Sequence, residues 1–412
     1  MSKIKSLGPG VRPRLRSAIN QIQGDMGLPF IWGQWYFVNP ETGANTSDGK
    51  TVATAVADLE TAYGLATTGD GDGIALLSSG TSTANTTSYI DEEIAWSKWG
   101  ITVYGVASGA RYASRARIAS KERTTGALTT IAFNNVGTAD TITDSAGGFL
   151  TAGFEAGQKI NVVANSGTND GDYTILSVVA GTITVSTGDS LTTEDAATAG
   201  STTVISYNVN NITVSGSNNS FLNVSIGNYG SAAAAIGCLE VTGNRNYFGN
   251  CHILGMVHAT PGAVADAYDV KLNAAEENTF EACTIGSDTI IRAAANSNIL
   301  VDGGCWRNNF YDCDFVNYSA TAGHGWVNSA DATSMSGTMV VSGSRVINWN
   351  PNGLTALTSA FIGTKPTSGY ILVDSTSLQG FAAWDSVGGN NTVYVGNADA
   401  TASGAGGIAT TV

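Results

Sequence analysis

Charge is scarce in this sequence. Asp, Glu, Lys and Arg make up 13% of its 412 residues, while apolar residues make up 42% in regular Val/Ile spacing. Disordered chains show the opposite balance, so a folded protein is expected. Positive charge is the scarcer sign: 19 Lys and Arg against 33 Asp and Glu leave a net charge of −14, a poor match to phosphate backbones. No nucleic acid is expected as a partner. No run approaches the roughly 18 apolar residues of a membrane span, and no apolar core follows the basic N-terminal residues. Neither a membrane nor a secretory signal is therefore expected. The five cysteines, Cys238, Cys251, Cys283, Cys305 and Cys313, are odd in number and form no Cys-x-x-Cys, which argues against a disulfide framework or a zinc site. The three histidines, His252, His258 and His324, make no ligand pair at helical or strand spacing. Gly69-Asp-Gly-Asp-Gly73 has paired carboxylates but lacks the downstream Glu of a calcium loop, and reads as a turn. No metal and no cofactor is expected.

What is abundant is small and mostly polar: glycine numbers 51, and Asn, Ser, Thr and Ala fill much of the remainder. Within that background one pattern recurs four times. It reads Asn219-Ser-Phe221-Leu-Asn-Val224-Ser-Ile226, Asn246-Tyr-Phe248-Gly-Asn-Cys251-His-Ile253, Asn278-Thr-Phe280-Glu-Ala-Cys283-Thr-Ile285 and Asn308-Asn-Phe310-Tyr-Asp-Cys313-Asp-Phe315. The phenylalanines fall 27, 32 and 30 residues apart. Self-similarity at a period of about 20–50 residues marks a stacked-repeat architecture. With Phe and the residue two beyond Cys/Val pointing inward, the corner between them falls on Asn223, Asn250, Ala282 and Asp312. Asn and Asp tolerate the left-handed backbone that a sharp corner needs. Parallel rungs stack about 4.8 Å apart, so Phe221, Phe248, Phe280 and Phe310 form one interior stack, and Val224, Cys251, Cys283 and Cys313 another. The cysteines then serve as small buried apolar groups. The outward slots carry Leu222, Gly249, Glu281 and Tyr311 after Phe, and Ser225, His252, Thr284 and Asp314 after Cys/Val.

The flanks read differently. Residues 1–33 gather five basic residues, Lys3, Lys5, Arg12, Arg14 and Arg16, ahead of a short helical pattern with Leu15, Ile19 and Ile22 on one face. This is either a basic anchor arm for an acidic partner surface or a frayed tail. Residues 34–123 hold a strand from Trp35, a helical face of Val52, Val56, Leu59 and Tyr63, and strands at Ile74–Leu77 and Ile101–Gly105. A solenoid end exposes unpaired backbone and needs a cover, which that helix supplies. Residues 124–206 change texture to short alternating strands (141–145, 157–163, 171–178, 181–186) between Gly/Asp/Asn turns, a small antiparallel β-barrel or sandwich inserted in the solenoid wall. Rungs resume over 207–397, and 398–412 is a Gly/Ala/Thr-rich tail.

The stretch Tyr36-Phe-Val-Asn-Pro-Glu-Thr-Gly43, Asp48-Gly-Lys50, Ala57-Asp-Leu-Glu-Thr-Ala62, Gly71-Asp-Gly-Ile74 and Gly100-Ile-Thr-Val-Tyr-Gly105, with the Asn-x-Phe-x-x-Cys-x-Ile copies, resembles the pectin-lyase-like right-handed parallel β-helix proteins. The segment Asp140-Thr-Ile-Thr-Asp, Gly157-Gln and Asn169-Asp-Gly-Asp-Tyr-Thr-Ile175 is similar to small β-modules in structural proteins of tailed bacteriophages. The resemblance implies an all-β chain: a right-handed parallel β-helix with an N-terminal capping helix and an inserted β-domain. It also implies a place on the exterior of a tailed phage particle.

Such scaffolds host lyases, hydrolases and inert fibres alike. Glu281 and Asp312 are expected about one rung apart, near the roughly 5 Å of a retaining glycosidase pair, with Asp314 farther and His252 able to complete an acid/base set. Against this, no outward slot repeats a carboxylate, aromatic platforms are few, and the calcium and arginine sites of pectate lyases are absent. The leading expectation is a non-enzymatic virion protein with no catalytic residues: a homotrimeric head-decoration (cement) protein or short fibre, bound to a capsid or tail protein through its N-terminal arm. The alternative is a tailspike that binds and cleaves a host surface glycan, with Glu281, Asp312 and Asp314 as acid/base candidates.

Overall fold

A computed structural model describes residues 28–29, 31–77, 87–106, 116–321, 323–349, 357–385 and 393–395. The basic and apolar arm residues from Lys3 to Ile22, and the 398–412 tail, lie outside the described residues. Among those described, no helix is long and apolar enough to cross a membrane.

The chain winds as a right-handed parallel β-helix. Each full rung gives one strand to each of three parallel sheets, of ten, eight and seven strands. One rung runs Ser220–Leu222 in the first sheet, Val224–Gly227 in the second and Leu239–Val241 in the third. The next begins at Tyr247–Gly249, with Phe221 paired to Phe248. Two rows of left-handed residues make the corners. Between the first and second sheets stand Asn223 (φ 54°), Asn250 (48°), Ala282 (52°) and Asp312 (52°); between the third and first stand Asn218, Arg245, Glu277 and Arg307 at 54–59°. A left-handed corner reverses direction in one residue, which lets a three-residue strand end abruptly and the next begin.

Each interior slot stacks on its own copy. The rings of Phe221, Phe248, Phe280 and Phe310 follow one another at 5.2, 4.6 and 4.7 Å between centroids, tilted by no more than 11°. All four are fully buried, as are Val224, Cys251, Cys283 and Cys313. The thiols of Cys251 and Cys283 donate to the carbonyls of Phe221 and Phe248 on the previous rung, each at 3.2 Å. The template asparagines form a second ladder. The Nδ2 groups of Asn219, Asn246 and Asn278 each donate to the Oδ1 of the next member, at 3.2, 3.1 and 2.9 Å. The same Oδ1 atoms accept from the backbone N–H of the preceding member. These side chains satisfy main-chain groups that the corner leaves unpaired, which sheet pairing alone would not do.

The single helical face expected over 51–63 is two pieces. Thr51 and Thr54 close a capping box around a short 3-10 turn, Val52–Thr54, and Val52 is exposed. Val56 then bridges to Val38 as an extended residue, and Asp58 restarts a helix, Leu59–Leu65, by accepting from the Thr61 N–H. The cap is this second helix, which buries Leu59 and Ala62 against the first rungs. Strands at Thr87–Ile90, Ile94–Trp96 and Ala116–Ser120 complete rungs to which the sequence reading assigns nothing. The inserted unit leaves the solenoid after Ser120 and rejoins it at Ile212–Val214. Its six antiparallel strands surround a core of their own that includes Phe133, Phe149, Phe154, Ile160 and Ile183.

Candidate functional site

Phe248 and its copies point inward, so their strand neighbours point out from the first sheet. In register across the rungs, one outward row runs Tyr104, Leu222, Gly249, Glu281, Tyr311, and the next runs Thr102, Ser220, Tyr247, Thr279, Asn309. Where these rows meet the corner, an open groove of about 450 Å³ forms, lined by Tyr104, Leu222, Asn223, Tyr247, Gly249, Asn250, Glu281 and Ala282.

Gly249 makes the groove. A Cβ there would lie 2.8 Å from the Tyr247 ring and 3.0 Å from Leu222 Cδ2, so only glycine lets that ring lie across the floor. The Tyr247 hydroxyl donates to Glu281 Oε2 at 2.8 Å. Burial, then this bond and the Glu281 charge, push the phenol well above its ordinary pKa, so it stays a donor at any physiological pH. On the corner side, Asn250 Nδ2 donates to Asn223 Oδ1 at 3.0 Å, and Asn223 Nδ2 donates to the Gly105 carbonyl at 2.7 Å.

Glu281 and Asp314 are not brought together, and Asp312 is outside the groove lining. Glu281 lies in the groove. Asp312 is the corner residue of the next rung, exposed, with its N–H donating to the Ser342 carbonyl. Asp314 lies past that corner in the second sheet. The sequence reading places it on a solvated wall, but it is 1% exposed and clasped by Arg345, with Nε to Oδ1 at 2.6 Å and Nη2 to Oδ2 at 2.8 Å. Ser225 and Thr284 in the same slot are also buried, and His252 Nε2 sits 3.3 Å from the Gly286 carbonyl. An acid/base pair needs two carboxyls facing one substrate, and the αL corner turns Glu281 and Asp314 onto different faces. No cluster of His, Cys, Asp or Glu disposed to hold a metal occurs among the described residues.

A second polar centre escapes sequence reading altogether. Arg292 is fully buried, with Nη2 3.3 Å from Asp269 Oδ1. Asp269 also accepts from the Gly255 N–H at 2.8 Å and from Asn298 Nδ2 at 3.0 Å. Burial raises the Asp269 pKa while Arg292 opposes it. Burial and the same arginine drive the neighbouring His324 down to about 3, so its imidazole is neutral. This centre ties the strands carrying Asp269 and Asn298 to the segment carrying Arg292, and Arg292 Nε and Nη1 and His324 Nε2 make no hydrogen bond among the described residues. The groove has a different history: Tyr104 and Tyr247 follow no repeat of their own, and Asn223 and Asn250 read in the sequence only as corners. One signal was available, the lone glycine in a slot that otherwise holds Leu, Glu and Tyr.

No protein-family model matches the chain, and no curated protein matches it. Several solved structures align with it at low identity. A pectin methylesterase from Erwinia chrysanthemi is 15% identical, aligned over 90% of this chain and 91% of its own, with a TM-score of 0.43. A rhamnogalacturonan lyase is 10% identical over 88% of this chain and 73% of its own, with a TM-score of 0.44. A tailspike of an Acinetobacter baumannii bacteriophage, solved with a capsular saccharide, is 8% identical over 78% of this chain and 71% of its own, with a TM-score of 0.16.

Proposed function

We propose that this chain is a non-enzymatic structural protein of a tailed-bacteriophage particle. It stands on the virion exterior as a homotrimeric β-helical head-decoration protein or short fibre, held to a capsid or tail protein by its basic N-terminal arm. The observation that carries the non-enzymatic part is the fate of the carboxylates. Asp314 is neutralised by Arg345 in the second sheet, and Glu281 is tied to Tyr247 in the first. What remains is a rod whose interior stacks are continuous from Phe221 to Phe310, as a load-carrying element requires. The virion part is supported by the likeness of the 140–175 segment to phage β-modules.

The test has two arms. Soluble chain is added to particles assembled without it, as full-length protein and with residues 1–27 removed. The cut stops at 27 because Ile31 packs on Trp35 and Ala75. Full-length protein should attach and the truncated form should stay free with unchanged circular dichroism. Attachment of the truncated form would refute the anchor. In the second arm, the protein is incubated with host capsule or lipopolysaccharide. New reducing ends that vanish in Glu281→Gln would replace this reading with that of a glycan-cleaving tailspike.

A further inference from the structure

We infer that the groove across Tyr247 is a binding site for an uncharged or amino sugar, held and not cleaved. The inference rests on the groove alone and stands whether or not the chain belongs to a virion. At about 450 Å³ the groove falls within the range of roughly 300–1,000 Å³ typical of small-molecule clefts. Its lining is amphipathic in the way a pyranose is. Tyr104 and Tyr247 offer ring surface to the apolar C–H face of a sugar, while Asn223, Asn250 and Glu281 place amide and carboxylate groups at the edge, where hydroxyls would lie. Gly249 keeps the floor flat by leaving the Tyr247 ring uncovered.

Charge decides the class. Among the described residues, Glu281 is the one carboxylate in the lining, and no Lys, Arg or His joins it there. On a protein of net charge −14, such a groove repels uronic and sialic acids and accepts hydroxyls or an ammonium group. The only hydrogen bond to the Glu281 carboxylate among the described residues comes from Tyr247, at 2.8 Å. Tyr247 thus orients Glu281 as an acceptor. Cleavage would need a second carboxyl across the scissile bond, whereas the Asp314 carboxylate is buried against Arg345 and Asp312 is outside the lining.

The experiment uses full-length protein on an array of immobilised oligosaccharides. It carries neutral glucose, galactose and mannose series, N-acetylglucosamine and glucosamine oligomers, polygalacturonate and sialylated chains. Retention is expected on at least one neutral or amino-sugar series and on no acidic one. Tyr247→Ala should weaken that retention at least ~10-fold, the loss of one stacking platform and one oriented acceptor. Leu222→Glu, on an outward position beside Gly249, should also weaken it without touching the core. Both variants are checked for an unchanged melting curve. Retention on acidic chains alone, retention on none, or retention that both folded variants keep in full would overturn the inference. Particle attachment through the arm is read separately, so failure here leaves the virion reading untouched.

Discussion

Asn278 tests how much of this fold rests on side-chain ladders and how much on apolar stacking. It is fully buried and central to the asparagine row. Its Oδ1 accepts from the Asn246 N–H at 2.8 Å and from Asn246 Nδ2 at 3.1 Å. Its Nδ2 donates to the Gly243 carbonyl at 3.0 Å and to Asn308 Oδ1 at 2.9 Å. Asn278→Ala removes all four bonds and strands the Asn246 N–H and the Gly243 carbonyl, while Asn308 Oδ1 keeps the backbone N–H of residue 278 and Asn246 Nδ2 keeps the Gly216 carbonyl. A net hydrogen bond contributes about 1 kcal/mol, and a buried group left unpaired costs about 1–3 kcal/mol. The expected loss is therefore about 4 kcal/mol, most of it from the stranded polar groups, because alanine retains the Cβ. Asn278→Asp should cost more at neutral pH, since it places a carboxylate against the Gly243 carbonyl and Asn308 Oδ1. The assay is urea unfolding followed by tryptophan fluorescence, with Thr279→Ala on the outward face as a control expected within about 0.5 kcal/mol of the parent. The slope of the transition is part of the reading. A reduced slope would show the flanking rungs opening apart from the remainder, a known behaviour of stacked repeats. A loss below about 1 kcal/mol at unchanged slope would mean that the ladder does not support the corner and would refute the reasoning.

Two further outcomes follow from particular residues. Glu60 is pushed up to about 7 by burial and then by the charges of Asp58 and Asp91, close to Glu92 of the entry rungs, which in turn feels the charge of Glu155 in the inserted unit. Because the folded protein binds this proton more tightly than the unfolded chain, the stabilisation present near pH 4.5 is lost as pH rises through about 7. Across that window the melting temperature should fall, and Glu60→Gln should flatten the slope; an unchanged slope would remove Glu60 from the account. Ala282, at φ 52°, holds a left-handed corner that its neighbours fill with Asn and Asp. Ala282→Gly should stabilise by about 1 kcal/mol in the same urea assay, and destabilisation would mean that the Cβ contributes more by contact than it costs in backbone strain.

The Asn-x-Phe template was legible because an interior slot has no freedom. Phe248 packs on Phe221 and Phe280 at rung spacing, so whatever fits once must fit again, and the sequence repeats where the structure stacks. Corners were legible for the same reason: Asn223, Asn250 and Asp312 answer one backbone requirement in successive rungs. The misreadings fall where no stacking constraint operates. Asp314 alternates outward as the period demands, yet Arg345, 31 residues on, covers it, a partnership set by the next rung and invisible to the template. The expected helix at 51–63 had the right spacing, but Thr51 and Thr54 closed a cap and Val56 joined Val38 before it could propagate. Outer slots face solvent and each is free to differ, which is why Leu222, Gly249, Glu281 and Tyr311 share a row and nothing else. In a solenoid, chemistry is therefore sought in departures from the repeat rather than in the repeat itself. Gly249 is such a departure: it removes a side chain from one rung, lays Tyr247 across the gap, and turns a flat wall into a groove.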